Sequence, residues 1–283
     1  MLTVACYSYK GGAGRSTSAA NLAVELARNG NKVAIIDADL TAPGLHYIFN
    51  AEEMTKVDSY KGTHHLATGW LRAKDFFTEG DFFIDVSKLE GNLEWGLPEG
   101  AVVSFLASSP GQHPNVKNDA EKPTGIIDNF ESIKEELSNR GYNYLIIDSA
   151  SGITPISVTC FHCCDLLLVF FRWTLQHVRG TIECVKTLKT VNNKFKLEYT
   201  IQTVATSVPS DEELLDQAEE IRRKLSNDRA KSRQALLDIN AIPVVEIGEH
   251  LPFKWNESIT NDRELFIPLA KYVNSLSRNK RGA

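Results

Sequence analysis

Cysteines are few in this 283-residue chain, basic residues are outnumbered by acidic ones and long apolar runs are missing, and each shortage removes a class of function. Of five cysteines, Cys160, Cys163 and Cys164 cluster around Phe161 and His162, while Cys6 and Cys184 stand far away. A structural metal site needs a second ligand pair at a usable spacing, and none follows, so these residues are expected as small buried side chains on a helix. A formal net charge of −5 argues against binding nucleic acid through overall charge and leaves only a local basic patch for that purpose. No apolar run is long enough to span a bilayer, and Met1-Leu2-Thr3-Val4 enters a strand without a charged leader, so a cytoplasmic protein is expected.

With 42% hydrophobic and 24% charged residues, the chain can bury a large core, and we expect one domain over residues 1–283. Apolar runs alternate with helix-like stretches. Strands are expected at Leu2–Tyr7, Lys32–Asp37, Leu93–Leu97, Val102–Leu106, Tyr144–Ile147, Leu166–Phe171, Tyr199–Ala205 and Val244–Ile247. Helices are expected at Ser16–Asn29, Thr124–Asn139, Val178–Thr190, Ser210–Leu237 and Asp262–Ser277. Residues 46–80 have no clear pattern, and His64 and His65 there are read as a loop feature. Strands built of continuous apolar runs, each followed by a helix, predict a doubly wound α/β fold with a mostly parallel sheet and helices on both faces.

The chemistry concentrates at strand ends. Ser8-Tyr9-Lys10-Gly11-Gly12-Ala13-Gly14-Arg15-Ser16-Thr17 joins the first strand to the first helix. Three glycines allow a tight turn that offers successive N–H groups to phosphate oxygens, and the helix behind adds the positive end of its dipole. Ser16 stands where a hydroxyl can ligate a nucleotide-bound Mg²⁺. The second strand ends in Asp37-Ala38-Asp39, followed by Pro43-Gly44, and a later one ends in Asp148-Ser149-Ala150-Ser151-Gly152. Singly, Asp37 and Asp39 read as turn formers and Asp148 as a helix cap. In series, at the carboxyl ends of strands, the three segments point to a nucleotide site.

The loop resembles the deviant Walker A loop of the ParA/MinD family of P-loop ATPases, Lys-Gly-Gly-x-Gly-Lys-Ser/Thr, with Arg15 where the second lysine stands. The Asp37 segment looks like that family's switch I, and Asp148 like its Walker B carboxylate. The resemblance implies ATP bound with Mg²⁺ between two facing subunits, with Lys10 reaching the partner's nucleotide. It gives Gly11, Gly12, Ala13, Gly14, Arg15, Ser16 and Thr17 to the phosphates, and Ser16, Asp37 and Asp148 to the metal and its waters. Asp39 would orient the attacking water, and Lys10 and Arg15 would offset the charge that develops. Arg15 keeps the charge of lysine in a bulkier planar fork, so ATP binding with slow hydrolysis is expected.

The resemblance further implies an ATP-dependent homodimer that recruits, or is stimulated by, a partner protein, with positioning of DNA or other cargo as the leading role. A nucleotide-gated subunit of a larger complex, with little turnover of its own, is the competing reading. A kinase or synthetase on the same loop would need an acceptor site, and none is recognisable. Nonspecific DNA binding would fall to Arg222, Arg223, Lys224, Arg229, Lys231 and Arg233, although acidic residues precede them on the same expected helix. The last helix, ending in Arg278, Lys280 and Arg281, is expected to pack on the sheet rather than on a membrane.

Overall fold

The computed structural model describes residues 1–56, 60–67, 77, 82–108, 123–208, 245–248, 259 and 263–281. Eight strands form one sheet: β1 (Leu2–Ser8), β2 (Lys32–Ala38), β3 (Ile84–Asp85), β4 (Val102–Leu106), β5 (Tyr144–Ser149), β6 (Leu166–Arg172), β7 (Thr200–Val208) and β8 (Val245–Gly248). Their order is β3-β4-β2-β5-β1-β6-β7-β8. Every pairing is parallel except that of the short edge strand β3 with β4. The doubly wound, mostly parallel α/β sheet expected from the apolar runs is therefore the fold observed.

Alternate residues of each central strand enter two different cores, so the runs read as continuously apolar. Val4, Val33, Ile35, Ile146 and Leu168 face α1 (Arg15–Arg28) and the last helix. Ala5, Ala34, Ile36, Leu145, Ile147, Leu167 and Val169 face the opposite layer. That layer holds α4 (Thr63–Ala67), α5 (Pro123–Asn139), α6 (Pro155–Cys163) and α7 (Leu175–Phe195), whereas Leu45 of the short helix α2 (Leu45–Ile48) joins the α1 core, and α3 (Glu52–Thr55) follows α2 in the chain. Burial on both faces keeps a parallel sheet dry, and each buried Leu or Ile side chain stabilises the fold by about 1.5–3 kcal/mol.

Local chemistry sets where the helices begin. The hydroxyl of Thr154 accepts from the Ser157 N–H, and the Ser157 hydroxyl accepts from the Thr154 N–H, a reciprocal cap completed by Pro155 at the start of α6. Thr174 caps α7 by accepting from the His177 N–H. Helix α1 is different. It begins after Gly14 in the left-handed conformation, at φ 68°, with no side-chain cap, so its first N–H groups remain available to an anion.

Several expectations are corrected. Residues 93–97 are not a strand: a 3₁₀ turn covers Glu90–Trp95 and ends at Gly96, whose φ is 65°. Asn92 holds this turn by donating to the carbonyls of Phe49 and Val86, while Trp95 packs on Phe49, so burial recurs at i and i+3 rather than i and i+2. His64 and His65 lie buried on helix α4, not in a loop. Helix α7 extends beyond Val178–Thr190 at both ends, and the last helix, α8, spans Ile267–Arg281 after a 3₁₀ turn at Arg263–Leu265. Leu269, Ala270 and Val273 of α8 are buried in the core under the sheet, as packing on the sheet requires. The expected helix at 210–237, with its basic cluster, lies outside the described residues.

Candidate functional site

The register of the central strands assembles the site. Asp37 at the end of β2 pairs with Asp148 at the end of β5, and Cys6 of β1 pairs with Asp148 on the other side. The loop after β1, the turn after β2 and the turn after β5 therefore open at one edge of the sheet, where parallel α/β folds place their ligands. Gly12 and Gly14 take φ values of 79° and 68°, which L side chains rarely adopt. A Cβ on Gly11 or Gly12 would meet nothing within 4 Å, so the loop is open on its outer side.

The base of the loop is pinned from across the sheet. Thr206, at the end of β7, donates its hydroxyl to the Ala13 carbonyl at 2.7 Å, with the Phe171 carbonyl at 3.2 Å. It also stands 3.5 Å from where a Cβ on Gly14 would be. Sequence reasoning missed Thr206. Its signal is position alone, the carboxyl end of a strand next but one to β1.

Arg15 turns inward. Its Nε donates to Asp148 Oδ1 at 2.5 Å, and its Nη2 donates to Asp39 Oδ2 at 3.1 Å and to the Ser16 hydroxyl at 3.3 Å. The side chains are 9%, 11% and 1% exposed for Arg15, Asp39 and Asp148, so these ion pairs are dry rather than surface-screened. Asp39 Oδ1 accepts from the Thr41 hydroxyl and from the N–H groups of Thr41 and Ala42. These bonds and Arg15 hold the Asp39 carboxyl below its ordinary value, against the opposing effect of burial. Asp37 is wholly buried; Oδ1 accepts from the Asp39 N–H, and Oδ2 from the N–H groups of Gly44 and Leu45. Burial and the neighbouring Asp148 push Asp37 up to about 8. Burial also raises Asp148, with Arg15 and the Ser16 hydroxyl pulling the other way.

Lys10 and Thr17 stand apart from this cluster. Lys10 is exposed on the loop, and its ammonium donates to Gln176 Oε1 on α7 at 2.6 Å. Beside it the Tyr9 ring covers Gly180, where an added Cβ would lie 2.2 Å from the ring. Thr17 is half-buried in the first turn of α1, behind the loop. Asp37, Asp39, Asp148, Arg15 and Ser16 thus come together, with Lys10 on the rim.

The oxygens of Ser16, Asp39 and Asp148 are of the hard type that Mg²⁺ selects. Most of them already accept a hydrogen bond. Arg15 holds one oxygen of each carboxylate and the hydroxyl, while both oxygens of Asp37 are taken by backbone N–H groups. As these side chains stand, the cluster does not fit a divalent ion beside the guanidinium.

Among the described residues no group of three or more His, Cys, Asp or Glu side chains is placed to hold a metal, and all five cysteines are buried and unpaired. Burial raises the thiols of Cys6, Cys160, Cys163, Cys164 and Cys184, so they stay protonated near neutral pH. No helix among the described residues is long and apolar enough to cross a membrane.

A ParA family model, described as an NUBPL iron-transfer P-loop NTPase, matches residues 2–68. The cytosolic Fe-S cluster assembly factor NUBP2 homolog of Trichoplax adhaerens is 42% identical over 64 residues, 23% of this chain and 22% of that protein. The septum site-determining protein MinD of Helicobacter pylori is 26% identical over 198 residues, 69% of this chain and 62% of that protein. The chain therefore spans less than two thirds of the length of these curated relatives. Among solved structures, apo McdA of Cyanothece superposes with a TM-score of 0.68 at 19% identity, covering 97% of this chain and 99% of that one. McdA is also known as an ATP complex.

Proposed function

Because the chain belongs to the ParA/MinD family of P-loop proteins, we propose that it is an ATP-binding switch that dimerises around the nucleotide and hydrolyses it slowly. In this reading the dimer controls a partner protein in partitioning or positioning of DNA or other cargo. One observation carries the reading: an uncapped helix behind an open glycine loop meets two buried carboxylates, a third buried carboxyl group and one buried arginine at a single edge of the sheet. Structural needs alone do not gather such charges, since burying them costs several kcal/mol each.

Phosphates lie against the loop N–H groups and the start of α1, with Ser16 and Thr17 in the first turn. Lys10, tied only to Gln176 and exposed, is free to exchange that contact for a phosphate on a facing subunit. Asp39 orients the attacking water once its Oδ2 is released by Arg15. Phosphoryl transfer asks mainly for positioning and charge compensation, and a carboxylate engaged by an arginine is slow to supply the first.

The same burial of Arg15 favours a second reading, a nucleotide-gated subunit of a larger complex with little turnover of its own. Mass by size-exclusion light scattering with no nucleotide, ADP or ATP tests the switch. A monomer that becomes a dimer with ATP alone is the expected result; a mass indifferent to nucleotide refutes the switch and leaves the subunit reading.

A further inference from the structure

We propose that Arg15 is the resident cation of the nucleotide site: it stays bound to Asp148 while it receives phosphate, so that a divalent metal adds little to nucleotide affinity. The proposal rests on the nucleotide-site reading above. It begins with which edge of the guanidinium is used. Nε and Nη2 lie on one edge of the planar fork, and both face protein oxygens, at 2.5 Å to Asp148, 3.1 Å to Asp39 and 3.3 Å to Ser16. No described residue accepts from Nη1. A guanidinium can therefore grip carboxylates along one edge and offer its other donors to a second anion, whereas an ammonium is a single point of charge on a flexible stem.

The acceptor side agrees. Arg15 holds one oxygen of Asp148 and one of Asp39, the other oxygen of Asp39 accepts from Thr41 and Ala42, and those of Asp37 accept from the N–H groups of Asp39, Gly44 and Leu45. A divalent ion entering here would have to displace the guanidinium or strip these bonds first. Phosphate oxygens reaching the free edge of the guanidinium need strip none of them. They approach a cation already fixed in place, whose rotamer freedom was lost on folding, next to the uncapped start of α1. The Arg15 side chain also cannot drift into solvent, being 9% exposed and tied at both Nε and Nη2.

Calorimetric titration of ADP into the full chain, in MgCl₂ and in EDTA, tests this for the wild type and for Arg15→Lys. The expected Kd ratio between the two buffers is below about threefold for the wild type and above about tenfold for Arg15→Lys. A wild-type ratio as large as that of Arg15→Lys overturns the proposal, as does a small ratio in both proteins, since the arginine is then not the cause. A wild-type ratio above about tenfold overturns it without reference to the variant, which covers a variant that fails to fold. Absence of ADP binding to the wild type in either buffer overturns the nucleotide-site reading itself, and this proposal with it.

Discussion

Replacing Arg15 by methionine keeps an unbranched stem, removes the charged head and strands two carboxylates, one of which, Asp148, has a side chain only 1% exposed. Breaking a buried pair by removing one partner costs about 3–5 kcal/mol, because the remaining charge is left unpaired in a poor solvent. The variant has an escape: Asp148 can take up a proton. From an ordinary value of 3.8, neutralising one carboxyl costs about 4 kcal/mol at pH 7 and about 1.6 kcal/mol at pH 5. The loss of stability is therefore capped near those figures and shrinks as the pH falls. Urea unfolding followed by circular dichroism, for wild type and Arg15→Met at both pH values, measures it. At pH 7 the expected deficit of about 3–4 kcal/mol corresponds to a Tm lower by roughly 5–7 °C for a chain of this size. Adding Asp148→Asn removes the stranded charge and is expected to restore at least half of the deficit. A deficit under about 1 kcal/mol would mean that the pair is screened like a surface one. A deficit of equal size at both pH values would refute the reasoning, because an unpaired carboxylate would then not be its source.

Thr206→Val removes the donor to the buried Ala13 carbonyl while keeping the shape of the side chain. It should cost about 1–3 kcal/mol in urea and weaken ADP several-fold by calorimetry; unchanged ADP affinity refutes Thr206 as the pin of the loop. Lys10→Ala should abolish ATP-induced dimerisation in light scattering yet change stability by less than about 0.5 kcal/mol, since Lys10 is exposed with one contact to Gln176. An ATP-induced dimer of that variant removes the cross-subunit role. The folded state holds a proton on Asp37 up to about 8, whereas the unfolded chain releases it near 3.8. The folded form therefore binds the extra proton between those values, and stability falls as the pH rises through that range. Burial lowers His46 and His177, which are mostly neutral in both states above pH 7, and the thiols of the unfolded chain stay largely protonated below pH 8, so the Tm should fall between pH 7 and 8. A rising Tm in that window shows that Asp37 is already ionised.

Much of the fold was legible because its causes are local or periodic. Gly12 and Gly14 mark a loop that only residues tolerating positive φ can form, and apolar runs such as Leu145–Ile147 mark strands buried on both faces. The placement of Asp37, Asp39 and Asp148 after apolar runs was enough to bring these residues to neighbouring strand ends. Residues 93–97 misled because Leu93, Trp95 and Leu97 alternate like a strand, while the buried Asn92 and the left-handed Gly96 impose a 3₁₀ turn. Asn92 makes its bonds only once residues 49 and 86 have arrived, and no local pattern announces that.

The direction of Arg15 belongs to the tertiary structure alone. As a residue type it promised a cation for phosphates. Its partner Asp148 lies 133 residues away, and it becomes a partner only because β1 and β5 pair in the register that sets Cys6 beside Asp148. Thr206, 193 residues from Ala13, reaches the loop for the same reason. Sequence by itself determined which charges and turns the chain carries, through backbone sterics and the spacing of apolar residues. Strand order and register decided which of those charges meet in a dry place, because electrostatic strength depends on distance and burial, and both are set by contacts between residues far apart in the chain.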